Sequence, residues 1–387
     1  MKFTHCDSAI LVIAPLCEQK SSKWFSTGRH RKLSQLFDSF AGLNYKYILF
    51  STAPSRSVTY LGQSYVRCCS SDNLYLRYIQ LFFSGFYFGL KFLFMGSKNI
   101  NLWLYNSRFP EFIFSLPIKL LNYRNTNIFV QFEDLPFARK QNFGIRGLLD
   151  FFSTSLLSLI FSCCSAASKT MQQTLVNRYR INSRLIIVFP PLADKLYLSA
   201  ISDRNEPLFS SVVNVMYAGG YSEEKGIHTL LDAFCRLPSD QFLLNLYGPI
   251  PQPLSQSLSE VPNIVIHGLV DELCLFQSYA NSDVIVNPHK VISSEALIFP
   301  FKTIESLLSG SLPLLTPMPG LKQFKIPSDC FFDDATDLFH KLLNSRQLYF
   351  RNKYSIKELT IRLRSFSDPT SFSKRLKRFL CSEYFTE

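Results

Sequence analysis

The feature that most constrains the fold is an alternation of short, continuous apolar runs with helix-length segments along most of the chain. Five such runs lie in the first half, at residues 9–15, 47–51, 101–105, 127–132 and 185–189. Continuous apolar runs of this length are typical of parallel strands that a sheet buries on both faces. The segments at 31–40 and 110–121, which lie between runs, have the length of helices. The alternation therefore predicts a doubly wound α/β domain.

The alternation stops in a polar segment at residues 201–212 and then restarts, which predicts a second domain of the same kind. Its apolar runs lie at 212–217, 242–247, 264–267, 284–287 and 312–316, and helices are predicted at 226–237, 273–280 and 303–308. With 387 residues, the chain is long enough for two domains. We predict two Rossmann-like domains that face a cleft, at residues 1–205 and 206–355, followed by a basic helical tail at 356–387.

The formal net charge of +12 is unevenly distributed along the chain. Lys and Arg outnumber Asp and Glu in residues 1–206 and again after residue 350, whereas acidic residues are in excess between 207 and 350. A basic half predicts an anionic partner, such as a membrane surface, a nucleic acid or a phosphorylated substrate. The sequence contains no helix-turn-helix pattern and no basic–aromatic single-strand motif, so we expect no nucleic-acid partner.

Two further apolar segments, at residues 78–95 and 151–168, are interrupted by Lys91 or by several serines, so neither predicts a membrane span. We interpret both as buried or amphipathic helices; the alternative is a helix that lies in the membrane plane. The ten cysteines are too sparse for a disulfide scaffold and form no CxxC pair, so no metal site is expected. No secretory signal leads the chain, and we expect a cytoplasmic protein.

Residues 216–234 (MYAGGYSEEKGIHTLLDAF) have the pattern of a phosphate-binding turn. Gly219 and Gly220 follow a predicted strand and allow a ligand to approach the backbone closely. Lys225 comes just before a predicted helix, where free N–H groups and the helix dipole already favour an anion. The alternative is an ordinary strand–helix turn with an exposed lysine.

Residues 299–310 (FPFKTIESLLSG) place Lys302, Thr303 and Glu305 at the start of the helix that follows the strand at 284–287. Lys302 and Glu305 are three residues apart and share one helix face. A lysine at a helix start can bind a diphosphate, and a glutamate can accept hydrogen bonds from two ribose hydroxyls. The alternative is an exposed ion pair between the two side chains.

Two more predicted strands end in small residues. Gly248 follows the strand at 242–247, and His267 ends the strand at 264–267. In open α/β sheets, ligands bind at the carboxyl ends of strands, where backbone groups can contact the edge of a nucleobase. His267 can equally be a core or loop histidine.

In their order and spacing, these segments resemble the C-terminal half of retaining GT-B glycosyltransferases, glycosyltransferase family 4 (glycosyl transferases group 1). The segments that carry the resemblance are AGGYSEEKG, LNLYGPI, NIVIHGLV, LFQSYANSDVIVNP and FPFKTIESLLSGSLPLL, within about residues 212–320. The chain departs from the family at two positions. Gly220 stands where the family has an arginine, and the first glutamate of the last motif falls at Leu297, two residues after Glu295.

The resemblance implies a hexosyltransferase that moves a sugar from a nucleoside diphosphate sugar with retention of configuration. Lys225, Lys302 and the helix N-terminus would stabilise the leaving diphosphate, and Glu305 would hold the ribose. The other substrate-binding residues that it implies are Gly28, Gly219, Gly220, Gly248, His267, Glu295 and Thr303. The sequence contains no DxD motif, so no metal and no other cofactor is expected.

The resemblance also implies that the N-terminal domain binds the acceptor, a glycan or a lipid-linked molecule, and that the tail returns to this domain. The loop around Gly28 would lie near the leaving phosphate; the alternative is a mobile basic loop. Glu133 and Asp134 follow the strand at 127–132, and with Lys225 they are the candidate catalytic residues. For this carboxylate pair the alternative is a structural turn.

The pathway that we expect is the synthesis of a cell-surface polysaccharide or lipopolysaccharide. The basic N-terminal domain and tail predict peripheral binding to the inner face of the plasma membrane. Two other functions are alternatives to sugar transfer. Gly220 and Leu297 motivate a non-catalytic GT-B pseudoenzyme or partner protein. A sugar-nucleotide epimerase would need its own acid–base pair, which we do not find.

Overall fold

A computed structural model describes two compact units of the chain. The first is formed mainly by Met1–Pro190, and the second is formed by Pro191–Glu295 and Pro300–Ser371. The described residues are 9–16, 27–43, 45–54, 59–60, 63–97, 99–135, 144–188, 195–201, 207, 209–290, 301–367, 374 and 377. Each unit has its own parallel sheet with helices, which is the predicted α/β architecture.

The first unit is built on an eight-stranded sheet. Its strands are β1 (Ala9–Ala14), β2 (Lys46–Ser51), β3 (Thr59–Tyr60), β4 (Gln63–Arg67), β5 (Ile100–Tyr105), β6 (Thr126–Phe132), β7 (Cys163–Ala166) and β8 (Ile186–Val188). Its helices are α1 (Thr27–Gly42), α2 (Leu74–Phe94), α3 (Phe109–Leu121), α4 (Ile145–Leu157) and α5 (Lys169–Tyr179). The strand order is β3-β4-β2-β1-β5-β6-β7-β8, and every described pair except β3–β4 is parallel.

Helices cover both faces of this sheet, as neighbouring residues of β2 illustrate. Leu49 belongs to a buried cluster with Leu33 and Phe37 of α1. Phe50 points to the opposite face, where its ring centroid lies 4.8 Å from that of Phe88 on α2 and 5.5 Å from that of Phe114 on α3. Because both faces are buried, the strands of the sheet can be apolar throughout.

We had expected the apolar segment at residues 151–168 to form a helix, but only its first part does. Helix α4 ends at Leu157, and Cys163–Ala166 form strand β7 between β6 and β8. The sequence CCSA has no β-branched or aromatic residue, so its strand character comes from its position in the sheet rather than from propensity. All four of its residues are buried.

The second unit has five parallel strands in the order β11-β10-β9-β12-β13. The strands are β9 (Val213–Ala218), β10 (Phe242–Tyr247), β11 (Ile264–Gly268), β12 (Val284–Asn287) and β13 (Leu312–Leu315). The helices are α6 (Lys195–Ala200), α7 (Ile227–Phe234), α8 (Gln252–Ser259), α9 (Glu272–Asn281), α10 (Phe301–Leu308), α11 (Ala335–Leu343) and α12 (Ser345–Ser367). The predicted strands of this half all form, within a residue or two at their ends.

The units divide at Pro190–Pro191 rather than at the expected 205/206 boundary. Helix α6 packs within the second unit, because Tyr197 is fully buried and its ring lies edge-on against those of Phe276 and Tyr279 on α9. Within the expected linker, Phe209 is also packed, since it is 4% exposed and contacts the ring of Tyr349.

The expected tail at 356–387 does not begin as a separate element, because its first residues belong to α12. Helix α12 runs through to Ser367, and its second half packs on the second unit. Thr360 Oγ1 donates to the carbonyl of Leu307, 2.9 Å away, and Arg364 donates to the carbonyl of Ile201 at 3.0 Å. Beyond Ser367 the structure describes only Lys374 and Lys377, both exposed, so the expected return of the tail lies outside the described residues.

None of the described helices combines the length and the apolar character that crossing a membrane requires.

Candidate active site

Backbone groups connect the carboxyl ends of three neighbouring strands in the second unit. The amide of Gly219, after β9, donates to the carbonyl of Tyr247, 2.9 Å away, and the amide of Gly248 donates to the carbonyl of Gly268 at 2.7 Å. Gly248 has φ +126°, and a Cβ on it would lie 1.9 Å from the carbonyl oxygen of Gly219. Only glycine fits there. Gly220, by contrast, has no atom within 4 Å of its Cβ position.

The turn that carries Lys225 is pressed against the end of β12. A short 3-10 turn, Glu223–Lys225, is followed by Gly226 with φ +66°. A Cβ on Gly226 would lie 1.6 Å from the carbonyl oxygen of Pro288, so the close approach requires glycine. As a result, the Nζ of Lys225 lies 3.2 Å from Nε2 of His289.

His289 is held on three sides and is only 8% exposed. Its Nδ1 lies 3.2 Å from the carbonyl oxygen of Lys290, and its own carbonyl accepts from Thr316 Oγ1 at 2.6 Å. An ammonium group can only donate, so Nε2 of His289 accepts from Lys225 and the ring proton lies on Nδ1. The imidazole therefore orients the Lys225 ammonium at the end of β12.

A second lysine lies at the end of the adjacent strand. Lys302, the second residue of α10, donates from Nζ to the carbonyl of Ala218 at 2.7 Å, and Ala218 is the last residue of β9. Strands β9 and β12 are direct neighbours in the sheet. Two lysines and the Gly219–Gly220 turn therefore lie at the carboxyl edge of the sheet, the location at which α/β sheets bind anionic ligands.

The two other predicted residues of α10 are buried. Thr303 is 1% exposed, and its hydroxyl accepts from Nδ2 of Asn287 at 2.8 Å, which attaches α10 to the end of β12. Glu305 is 4% exposed, and its backbone carbonyl accepts from the hydroxyl of Tyr197. The ribose-binding role of Glu305 stays a prediction. Glu295 lies outside the described residues.

Two buried tyrosines line the same strand end. The hydroxyl of Tyr217 donates to the carbonyl of Gly220, and the ring of Tyr217 lies edge-on to that of Tyr221, with centroids 5.7 Å apart. The hydroxyl of Tyr221 is buried and has no hydrogen-bond partner among the described residues. Burial raises the pKa of both tyrosines, so both hydroxyls stay protonated at neutral pH.

His267 is exposed and is held by contacts within the sheet. Its ring stacks on that of Tyr247, with centroids 4.3 Å apart, and its Nε2 lies 2.9 Å from Oδ1 of Asn245. Partial burial lowers its pKa. These contacts fit the alternative of a loop histidine, and its role in nucleobase binding stays a prediction.

In the first unit, Glu133 is the residue that follows β6, and both of its carboxylate oxygens are hydrogen-bonded. Oε2 accepts from the hydroxyl of Tyr105, and Oε1 accepts from Nε2 of Gln131 at 3.2 Å. Its amide donates to Oδ1 of Asn106 at 2.8 Å. The carboxylate is thus fixed at the carboxyl ends of β5 and β6.

Asp134 forms an ionic contact with Arg108, whose guanidinium nitrogen lies 4.0 Å from Oδ2. Burial lowers the pKa of Arg108, but the carboxylates of Asp134, Glu111 and Asp150 outweigh this effect and raise it. The amide of Asp134 also reaches Oδ1 of Asn106, at 3.3 Å. The ionic contact with Arg108 therefore gives the Asp134 carboxylate a structural role, whereas the contact with Asn106 is common to both residues.

Sequence reasoning did not identify Glu111, which lies at the start of α3 and is only 1% exposed. Its Oε1 accepts from Thr52 Oγ1 at 2.5 Å, whereas its Oε2 has no partner among the described residues. Burial raises the pKa of Glu111, and the hydrogen bond from Thr52 and the charges of Arg108 and Arg77 oppose this shift. A glutamate within a mostly apolar helix gives no sequence signal of such a contact.

Gly28 is not in a loop, contrary to expectation. It is the second residue of α1, so the helix begins where the sequence predicted a basic loop.

The sequence analysis missed His289 and Asn287. Both lie at or just after the end of a predicted strand, and the rule that ligands bind at the carboxyl ends of strands selected Lys302 and Gly248. Among the residues that the structure describes, no three Cys, His, Asp or Glu side chains gather into a metal-binding group. That sugar transfer needs no metal stays a prediction.

Residues 213–344, most of the second unit, match the protein family described as Glycosyl transferases group 1. The matched region contains the Gly219–Gly220 turn, Lys225, Lys302 and Glu305. No curated protein matches this sequence significantly.

Several solved structures have the same fold over nearly the full chain. Sucrose-phosphate synthase from Thermosynechococcus elongatus is 15% identical, with a TM-score of 0.68, and the alignment covers 98% of this chain and 100% of that one. Anabaena HepE, solved in complex with UDP and glucose, is 15% identical with a TM-score of 0.65, over 97% of this chain and 100% of that one. The lipopolysaccharide outer core galactosyltransferase WaaB is 13% identical with a TM-score of 0.68, over 97% and 99%.

These likenesses confirm the predicted GT-B class of α/β fold. Together with the domain match, they support a transferase enzyme.

Proposed function

We propose that this protein transfers a sugar from a nucleoside diphosphate sugar to a glycan or lipid-linked acceptor, as a retaining glycosyltransferase of family 4. The observation that carries the proposal is the position of Lys225 and Lys302 at the carboxyl ends of adjacent strands, inside the glycosyl transferases group 1 region. HepE was solved with UDP and glucose, which supports a nucleotide sugar as the donor class.

The second unit would bind the donor. Its two lysines and the Gly219–Gly220 turn offer positive charge and accessible backbone to a diphosphate. As the glycosidic bond breaks, negative charge grows on the leaving phosphate, and an ammonium group already in place stabilises it. His289 contributes by holding Lys225 in a fixed position, so the Lys225 ammonium does not have to reorganise during the reaction.

The buried hydroxyl of Tyr221 offers a further contact in the same region. It carries a proton at neutral pH and has no acceptor among the described residues, so it can donate to a phosphate oxygen if the loop shifts slightly on binding. Such a contact would compensate in part for the family's arginine, which is Gly220 here.

The first unit would bind the acceptor, and Glu133 would act on the reacting groups. A retaining reaction in which the leaving phosphate accepts the acceptor proton asks little of a protein base, but it does need an aligned hydroxyl. Glu133 is suited to hold that hydroxyl or to stabilise positive charge on the sugar ring. Its carboxylate is already fixed by Tyr105 and Gln131.

The proposed setting is the synthesis of a cell-surface polysaccharide or lipopolysaccharide, at the inner face of the plasma membrane. The net charge of +12 supports contact with anionic lipid. The likeness to a lipopolysaccharide galactosyltransferase is compatible with such a pathway.

The experiment that tests the proposal is a transfer assay with a panel of UDP-, GDP-, ADP- and CMP-sugars, with and without EDTA. Mass spectrometry of the products identifies the donor, and NMR of the new linkage gives its anomeric configuration. We expect transfer with retention that survives EDTA. Tight nucleotide binding without transfer to any acceptor and without donor hydrolysis would instead identify the pseudoenzyme that Gly220 and Leu297 motivate.

A further inference from the structure

A layer of three helices covers one face of the first unit's sheet. Helix α3 packs beside α2 and α4, and Gly85 and Gly89 let α2 approach it closely. A Cβ on Gly85 would lie 2.1 Å from the carbonyl oxygen of Phe114, and Nδ2 of Asn122 donates to the carbonyl of Gly89 at 2.8 Å. The contact is too close for α2 to rotate, so the outward face of the layer is fixed.

Helix α2 is apolar on its outer face as well as on its inner face. The buried residues are Arg77, Tyr78, Leu81, Gly85, Phe88, Gly89 and Phe92. The exposed apolar residues are Leu74, Tyr75, Leu76, Ile79, Phe82, Phe83, Phe86, Tyr87, Leu93 and Phe94. A surface helix that faced water would carry polar residues on that side. An exposed apolar surface of this extent marks an interaction site.

Helix α4 has the reverse of the usual arrangement, with polar residues inside. Asp150 accepts from the amide of Phe109 at 2.8 Å, and Ser153 donates to the carbonyl of Ser107 at 2.7 Å. Its apolar residues form an outward stripe at intervals of three and four: Ile145, Leu148, Phe152 and Leu156, continued by Leu159, between 48% and 78% exposed. Such a stripe normally faces a core.

The exposed charges on α4 and just after α3 are positive, whereas one exposed carboxylate, Asp72, precedes α2 by two residues. The only acidic residues of α2, α3 and α4 are Glu111 and Asp150, and they are 1% and 8% exposed. Arg146 in the first turn of α4 and Arg124 after α3 are exposed.

Leu120 and Tyr123, at the end of α3, are 64% and 65% exposed and continue the apolar surface. We call the exposed apolar side chains of α2, α3 and α4, with Tyr123 and Leu159, the apolar platform.

We propose that the apolar platform inserts into the surface of an anionic bilayer, with α2 and α4 lying in the membrane plane. An in-plane helix buries its apolar side chains at the boundary between headgroups and acyl chains, and nearby arginines bind the anionic headgroups. This inference rests on the membrane location proposed above. It goes further by identifying the surface and by making apolar insertion, rather than charge alone, the source of binding.

A bilayer fits the platform better than a second copy of the chain. A two-fold contact between platforms would place the Arg146 and Arg124 side chains of both copies in one interface, with no exposed carboxylate on these helices to pair with them. The platform also offers few hydrogen-bonding groups, which a specific protein interface would use. A fluid apolar layer with an anionic surface satisfies both features.

Vesicle flotation tests the proposal, with phosphatidylcholine vesicles that contain or lack phosphatidylglycerol. The double variant Phe83→Glu/Phe152→Glu puts one carboxylate on each outer helix face, at side chains that are 63% and 53% exposed, so its cost in stability should be small. We expect its binding to anionic vesicles to fall about tenfold or more. The double variant to Leu keeps the apolar surface and should bind as the wild type does.

The matched control is Tyr354→Glu/Ile361→Glu, which places the same two charges at side chains that are 82% and 59% exposed on α12. It should bind vesicles like the wild type, and all variants should keep the same thermal midpoint. Part of the wild-type binding should also survive high salt, because apolar insertion is not screened.

Three results would overturn the proposal. The first is equal flotation of the wild type and the double Glu variant, and the second is binding that salt abolishes completely. The third is a wild-type dimer in light scattering that the double Glu variant breaks, without vesicle binding by either protein. Calorimetry of nucleoside diphosphates without vesicles keeps the two proposals separable. The double Glu variant should bind nucleoside diphosphates as the wild type does. If the wild type binds no nucleoside diphosphate, the proposed function is contradicted, but the membrane proposal for the apolar platform is not.

Discussion

The Nζ of Lys225 lies 3.2 Å from Nε2 of His289, although 64 residues separate them in the chain. The contact depends on Gly226, whose left-handed backbone lets the lysine turn close on Pro288. A cation is thereby held at the end of β12, next to the strand whose end carries the glycine pair. This contact is the basis of the catalytic account, and it can be tested by kinetics.

We predict that Lys225→Ala lowers kcat about 100-fold, with a smaller effect on KM, because its charge acts mainly on the leaving phosphate in the transition state. His289→Ala should lower kcat less. In the double variant the His289 substitution should have little further effect, since it acts through Lys225. Steady-state kinetics of the four proteins measures this coupling, and Lys357→Ala, an exposed lysine on α12, is the control. Fully additive losses would show that His289 does not act through Lys225.

The glycines of the strand ends differ in what they tolerate. Gly248→Ala should destabilise the protein and weaken nucleotide binding, because its Cβ would lie 1.9 Å from a backbone oxygen at φ +126°. Gly220→Ala should be tolerated, since nothing lies within 4 Å of its Cβ. Gly220→Arg, which introduces the family's residue, should tighten nucleotide binding. Thermal unfolding and calorimetry compare the three variants. Weaker nucleotide binding by Gly220→Arg would mean that this position does not face the diphosphate.

Glu133→Gln should reduce sugar transfer by a large factor and leave nucleotide affinity unchanged. The substitution keeps the shape of the side chain, while it removes the charge that Tyr105 and Gln131 now hold in place. Asp134→Asn is the neighbouring control. Because Asp134 contacts Arg108, we expect that variant to lose thermal stability more than activity. Equal activity of Glu133→Gln and the wild type would exclude Glu133 from the reaction.

The burial of Glu111 predicts a pH dependence of stability. Its pKa is raised in the folded protein, so the folded state keeps the proton to higher pH than the unfolded state does. Stability therefore falls as pH rises from the usual carboxyl pKa to the raised one. Glu111→Gln removes this loss. The free energy of unfolding of the variant, minus that of the wild type, should therefore increase as pH rises from the usual carboxyl pKa to the raised one.

Urea unfolding at a series of pH values, from about pH 4 to about pH 8, measures this difference. The control is Glu358→Gln on α12, where the glutamate is exposed. A difference that stays constant with pH would mean that Glu111 titrates normally in the folded chain.

Strands with continuous apolar runs were predictable, and those that depend on their neighbours were not. Strands β6 and β9 form where the sequence predicts them, because their side chains suit burial on both faces of a parallel sheet. Strand β7, with the sequence CCSA, was missed because only the pairing with β6 and β8 selects its conformation. Sequence periodicity also could not show that the apolar stripe of α4 faces outward, because the spacing of an apolar stripe is the same whether it faces the core or the solvent.

The candidate site was predictable where it follows strand ends. Lys302 and Gly248 were found by that rule, and their backbone contacts lie where the rule places them. His289 follows the same rule and was overlooked. The contact of Tyr197 with Glu305 could not be foreseen, because it joins residues 108 apart through the packing of α6 on the second unit.

The central claim is that the carboxyl edge of the second unit's sheet binds the nucleoside diphosphate of a sugar donor. Calorimetric titration of UDP, GDP and ADP into the wild type and into Glu305→Gln tests it most directly, with Glu358→Gln as the control. We predict that one nucleotide binds the wild type and the control equally, and that it binds Glu305→Gln about tenfold more weakly or worse, because a charge-assisted hydrogen bond to the ribose is lost. No binding of any nucleotide by the wild type, or equal affinity for all three proteins, would contradict the account.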